Sequence, residues 1–429
     1  MTAEIAIMNK EAIALAADSA VTVGQERERK IFTSANKLFA LSKYYPVGIM
    51  VYGNAIFMGI PWESIIKIYR KKLGERKFKT LKEYADDFMS FLNNVNPLFP
   101  DDQQRNYLSV TIFIYFTFIR EDIKKEVKSI IDKGEGVTDN QIKQITSDII
   151  KRHFDRWEQA KILPSIPKNH IETIITKYKG LINKAINEVF EKLPISADSL
   201  NQLRNIAGNL FSKDIFPSNI SGVVIAGFGE KDIFPSLKAF DIEGIVSNQL
   251  KYKERLSAEI NFENTASIIP FAQKDMVATF MEGVDPNLQD YMEGYLSEVF
   301  DKYPEKIVES IDKFNDNEKQ QLKQKLKEIS NGLFKIYQDK VERYVRENYI
   351  KPIIRVVSML PKDELAAMAE SLVSLTAFKR KVSMETETVG GPIDVVVISK
   401  GDGFIWIKRK HYFKAELNPQ FFSNYYREA

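Results

Sequence analysis

Thr2 stands directly behind the first methionine, in the opening stretch MTAEIAIMNKEAIALAADSAVT, and Asp18 follows it at the end of an apolar run. A threonine with a free α-amine can act as a nucleophile. That amine has a pKa of about 7.7–8.0, so much of it is neutral near physiological pH and can take the proton of its own hydroxyl. A nearby lysine ammonium favours the alkoxide by charge, an aspartate holds the lysine, and a backbone N–H receives the oxyanion. Such a site needs no histidine, cysteine or metal. It does need Met1 removed, which a small second residue permits. The plainer reading of Thr2 is a small residue at a tolerant chain end.

The composition suits that chemistry and excludes most others. There is no cysteine, which removes disulfides, thiolate catalysis and cysteine zinc sites. The three histidines, His153, His170 and His411, are scattered and read as ordinary surface or partly buried residues, which argues against a Ser–His triad or a histidine metal site. No P-loop, HExxH or GxSxG occurs, and GFGEKD at 227–232 lacks the third glycine of a dinucleotide fingerprint. No metal or organic cofactor is expected.

Sixty-one basic residues against 58 acidic ones leave a net charge of +3, which gives no general case for a nucleic-acid or membrane partner. The basic clusters at 70–79, 379–381 and 408–411 read as solvated faces. With 44% hydrophobic and 28% charged residues, the chain is expected to be globular, and 429 residues suffice for one large domain or two to three ordinary ones. Glu4, Lys10 and Glu11 interrupt the opening apolar residues, so no signal peptide is read there. No apolar stretch reaches the roughly 18 residues of a membrane helix. A cytoplasmic location is expected.

The elements that must hold these residues can be read from periodicity. AEIAIM (3–8) and AIALAA (12–17) read as strands about a turn at Asn9-Lys10-Glu11, and their nearly continuous apolarity predicts cover on both faces. NKLFAL (36–41) and VGIMVY (47–52) predict a second strand pair, SGVVIAGF (221–228) and SLKAFDI (236–242) a third. IDVVVIS and GFIWIKR predict a last hairpin about Lys400-Gly401-Asp402-Gly403. Helical spacing marks two stretches before residue 95, a block from about 100 to 215, a second from about 285 to 350, and 361–382. Strands in pairs, interrupted by blocks of helices, argue for an α+β fold with antiparallel sheets.

These same stretches resemble the proteasome β-subunit and bacterial HslV branch of the N-terminal nucleophile hydrolases. The opening stretch matches that family's start, with Thr2 at the nucleophile and Asp18 at the buried aspartate. KLFALSKYYPVGIMVYGNA places Lys37 at the catalytic lysine and Gly53 at the glycine whose N–H forms the oxyanion hole, and Thr22 falls where the family binds substrate backbone. GVVIAGFGEKDIFPSLKAFDIEG resembles the middle hairpin. VGGPIDVVVISKGDGFIWI resembles the last, including Gly390-Gly391 and Ile393-Asp394.

The resemblance implies a four-layer αββα sandwich with two large helical insertions. Its core would occupy 1–95, 218–284 and 356–429, and the insertions 96–217 and 285–355. It further implies a threonine-type peptidase cleaving amide bonds in peptides or proteins, homo-oligomeric assembly, and an ATP-dependent unfoldase as partner. The chain departs from the family in three places. SIIPFAQKDMVATF stands where the family has a serine and a glycine that help the amine. Thr386 and Val389 replace an aspartate and a serine, with Glu385 and Glu387 as substitutes nearby. The step from Asp18 to the lysine is long, so Lys30 competes with Lys37, which KLF keeps in register. Two other functions stay open: an inactive proteasome-like scaffold whose helical insertions bind a partner, and a hydrolase of small amides.

Overall fold

A computed structural model describes residues 3–23, 30–93, 97–134, 136–218, 220–311, 313–383 and 389–427. The chain forms two compact units, Met1–Leu38 with Ile233–Pro235 and Glu259–Ala429, and Phe39–Asp232 with Ser236–Ala258. Along the chain come strands β1 (Ala3–Asn9), β2 (Ala12–Ala17), β3 (Val21–Val23), β4 (Lys30–Phe32), β5 (Leu38–Ala40), β6 (Val47–Gly53), β7 (Ile56–Phe57) and β8 (Ile60–Pro61). Helices α1 (Trp62–Leu73), α2 (Leu81–Asn93), α3 (Asp101–Ile131), α4 (Asp139–Gln159), α5 (His170–Lys177), α6 (Lys179–Phe190) and α7 (Ala197–Asn209) follow. Then come β9 (Ser221–Gly227), β10 (Ser236–Val246), β11 (Gln249–Glu259) and β12 (Ala266–Ala272). Helices α8 (Asp275–Glu282), α9 (Pro286–Glu309), α10 (Asp316–Val345), a π-turn (Arg346–Ile350), α11 (Lys351–Val357) and α12 (Lys362–Val382) lead to β13 (Asp394–Ser399), β14 (Gly403–Lys408) and α13 (Pro419–Arg427). No described helix is long and apolar enough to cross a membrane.

The first unit holds a five-stranded sheet in the order β12-β1-β2-β13-β14, antiparallel at every junction. Every residue of β1 and β2 is buried, as their nearly continuous apolarity predicts, and Glu4 and Asn9 of β1 are buried with the rest. On one face Ile5, Ile7, Ala14 and Ala16 pack with Leu365, Ala369, Leu372 and Val373 of α12. The residues that alternate with them, Ala6, Met8, Ile13 and Leu15, are buried as well. Asn9 fixes the turn between the two strands. Its side-chain Oδ1 accepts from the Glu11 and Ala12 amides, and its Nδ2 donates to the carbonyls of Val357 and Leu360.

The second unit holds a sheet in the order β11-β10-β9-β6-β5, antiparallel across β6, β9 and β10. Val51, Val223, Ile225 and Ile242 on one of its faces pack with Ile66, Tyr69, Tyr84 and Phe88 of α1 and α2. Helices α3 to α7 share a separate apolar cluster around Phe116, Trp157, Ile182 and Ile206. Lys251 of β11 reaches the end of that layer: its ammonium donates to the Leu210 and Ile215 carbonyls and lies 2.7 Å from Glu243.

His170 opens α5 and is 3% exposed; its Nε2 has no hydrogen-bond partner among the described residues. Burial pushes its pKa down to about 4. The folded state therefore resists a proton that the unfolded chain binds below about pH 6.5, so stability is full above that pH and falls as pH drops toward 4. The ceiling is about 3 kcal/mol. Urea midpoints measured from pH 7 to 4 should fall, and His170→Gln should flatten that slope.

Candidate active site

The end of β2 positions Asp18. Its backbone N–H donates to the Ala3 carbonyl, 3.1 Å, and the Ala3 N–H returns to Asp18 Oδ1, 3.1 Å. The residue next to Thr2 is thus tied to the aspartate on both sides. The same oxygen, Oδ1, accepts the Lys37 ammonium at 2.5 Å. The other, Oδ2, accepts from the backbone N–H groups of Ala20, 3.2 Å, and Gly390, 2.9 Å. Asp18 is 1% exposed and Lys37 5%. A carboxylate buried with four donors around it is an anion whose desolvation is compensated by its contacts.

Three segments converge to make this arrangement. Ser19 donates its N–H to the Gly390 carbonyl and its hydroxyl to the Pro392 carbonyl, and its own carbonyl accepts from the Ala35 N–H. The last bond delivers the chain to Lys37 just before β5. Gly391 has φ +80°, and a Cβ there would lie 2.8 Å from the Thr33 side chain and 3.0 Å from its carbonyl. Gly391 therefore has a packing reason at the point where these loops meet, whereas a Cβ at Gly390 would meet open space.

Glu4, read from the sequence only as a break in an apolar run, proves to be part of this cluster. It is 2% exposed on β1 and its Oε1 is 3.4 Å from the Lys37 ammonium. Lys37 therefore stands between two buried carboxylates. A charged residue inside AEIAIM was the signal for it.

A second missed feature faces the chain start from β12. Ala3 pairs with Ala272, which has φ +60°, and the next residue, Gln273, is buried. Gln273 Oε1 accepts from the guanidinium of Arg380, near the end of α12, with Nε at 2.9 Å. The 379–381 cluster is thus not wholly solvated: Arg380 is partly buried against Gln273, and Lys379 pairs with Asp285.

The other expected positions fall as follows. Thr2, Glu385, Thr386 and Glu387 lie outside the described residues. Thr22 pairs with Ile31 in the β3–β4 hairpin, and its side chain is outside the description. Lys30 opens β4 and is exposed. Val389 is buried in the apolar cluster with α12. Gly53 ends β6 in the other unit, with φ +77°; a Cβ there would lie 2.4 Å from the Ile220 carbonyl, which is reason enough for glycine. His153 accepts or donates between Tyr115 and Asp122 inside the helical layer of that unit. Among the described residues, no group of three or more His, Asp or Glu is placed to hold a metal.

The arrangement can hold an ammonium, through a buried carboxylate, beside the first residues of the chain. Comparison with protein-family models and with curated proteins finds no match.

Proposed function

We propose that this chain is a threonine-type amide hydrolase, acting on peptides, whose nucleophile is Thr2 once Met1 is removed. The observation that carries the reading is that one oxygen of Asp18 accepts both the Ala3 N–H and the Lys37 ammonium. A single buried group thereby fixes the strand that begins beside Thr2 and the cation that its alkoxide needs.

In the proposed reaction the Thr2 Oγ attacks the amide carbonyl while the Thr2 amine takes its proton. Lys37, held by Asp18, stabilises the alkoxide by charge. The Gly53 N–H is the oxyanion donor, a role taken from the resemblance. The tetrahedral intermediate expels the leaving amine of the substrate, which takes the proton back from the Thr2 ammonium, and leaves an ester on Thr2; water then cleaves that ester, releasing the substrate's carboxylic acid and restoring the hydroxyl. No metal or organic cofactor enters the scheme. The frame we propose is the αββα sandwich. It is supported by two sheets that carry helices on one face and buried apolar residues on both, as at Ile5 and Ala6 or Val51 and Met50. Homo-oligomers and an ATP-dependent unfoldase partner rest on the resemblance alone.

One observation favours an inactive scaffold instead. Val389, where the family carries a serine, is 1% exposed within an apolar cluster and offers no hydroxyl. A digest of a mixed peptide library, run beside a panel of small amides, separates the readings. Peptide cleavage supports the proposal; cleavage of small amides alone moves the substrate class, and no cleavage of either favours the scaffold.

A further inference from the structure

Helices α9 and α10 lie against one another as an antiparallel pair. Lys323 and Lys327 of α10 reach Glu305 of α9, the Phe334 ring lies tilted against Phe300, and Gln338 meets Glu293. Each helix carries a second apolar stripe that this contact leaves uncovered. On α9 it is Met292, Tyr295 and Val299, 47%, 59% and 40% exposed; on α10 it is Ile329, Leu333 and Ile336, 51%, 53% and 52% exposed. The spacing of three and four residues on both helices is that of a coiled-coil seam.

The two stripes face the same way. A helix turns about 100° per residue, and on each helix the stripe residues stand one position before residues that face the partner helix: Val299 before Phe300, Ile329 before Ser330, Leu333 before Phe334. In an antiparallel pair, the same offset on both helices points to one side. The result is a continuous apolar face with a valley along its middle. Gly332 borders it, with open space where a Cβ would stand.

Charge decides what covers this face. By the same rotation, Lys306, Lys325, Lys340 and Arg343 fringe it; all four are exposed and none has an ion-pair partner among the described residues. Three acids of the two helices are held by other contacts. Asp301 and Glu305 are engaged with lysines of α10, and Glu318, at the start of this side, accepts from the Asn315 N–H in a capping box. A second copy would set the same cations against each other, which disfavours self-association. A narrow valley between two ridges fits a helix better than a flat surface does.

We propose that the α9–α10 pair docks an amphipathic helix of another protein, with leucine-like residues in the valley and acidic residues on its flanks. The probe is a labelled synthetic helix of about three heptads, with leucines at seam spacing and glutamates beside them. It is compared with its lysine-flanked counterpart and with vesicles of phosphatidylglycerol, using the full chain. The acidic helix should bind, bind several-fold more weakly at high salt, and lose at least tenfold in affinity with Leu333→Asp. Since Leu333 is half exposed, helix content should stay unchanged. A second variant, Lys325→Glu with Lys340→Glu, keeps the apolar face and should also weaken binding. Equal binding of the lysine-flanked helix, no effect of Leu333→Asp, vesicle binding in place of helix binding, or self-association through this face in sedimentation would each overturn the proposal.

Discussion

Thr2→Ala is expected to abolish amide hydrolysis, by about 10⁴-fold or more. Alanine removes the only atom that could form the ester intermediate while leaving the chain start its size and its amine. Losses of this order follow removal of a nucleophile, because the remaining polarising and binding groups retain only a small residue of the rate. Thr2→Ser keeps a hydroxyl and should recover part of the activity. Steady-state cleavage of a peptide found by library digestion measures both variants. A Thr2→Ala protein as active as the parent would remove Thr2 from the chemistry.

Asp18→Asn is expected to damage both stability and activity. The substitution changes little in shape but replaces an acceptor-only group with one that carries two donors. Oδ1 now accepts the Lys37 ammonium and the Ala3 N–H, and Oδ2 the amides of Ala20 and Gly390. An asparagine can serve one of these oxygen positions; at the other its NH₂ points at donors. Breaking a buried pair by removing one charge costs about 3–5 kcal/mol. Glu4, 3.4 Å from Lys37, keeps the lysine from being left without any carboxylate, so the lower end of that range is expected. Activity should fall about 10²–10⁴-fold, since the cation that the proposed reaction requires is no longer held in place. Urea unfolding gives the first number and peptide cleavage the second. An Asp18→Asn protein equal to the parent in stability would contradict the buried network itself.

The strands of both sheets were legible where burial is complete. β1, β2, β6, β9 and β13 are runs of apolar residues buried nearly end to end, so their composition alone marks them. The Asp402-Gly403 turn was equally plain: Gly403 takes φ +81° and Asp402 exchanges hydrogen bonds with Ser399. The short strands β3, β4, β7 and β8 were not read, and neither were two longer strands whose pattern is set by an edge. β11 has charged residues along its exposed outer half, as edge strands often do, and its buried Lys251 looks from the sequence like any other. β12 contains Pro270, which a central strand would not tolerate but an edge strand beside β1 does.

For the site, the pairing of Asp18 with Lys37 rather than Lys30 could be reached from the register of KLF, and the structure brings the two together. Glu4 and the Gln273–Arg380 contact could not be reached by spacing, because they depend on which strands lie beside β1. Arg380 in particular resembles its solvated neighbours in sequence and differs from them only in what α12 packs against.

The measurement that tests the account most directly is the intact mass of the purified full chain before and after exposure to a β-lactone that acylates N-terminal threonines. The account predicts loss of Met1 and a single adduct, mapped to Thr2 and absent from Thr2→Ala. A retained Met1, or a free Thr2 that never reacts, would contradict it.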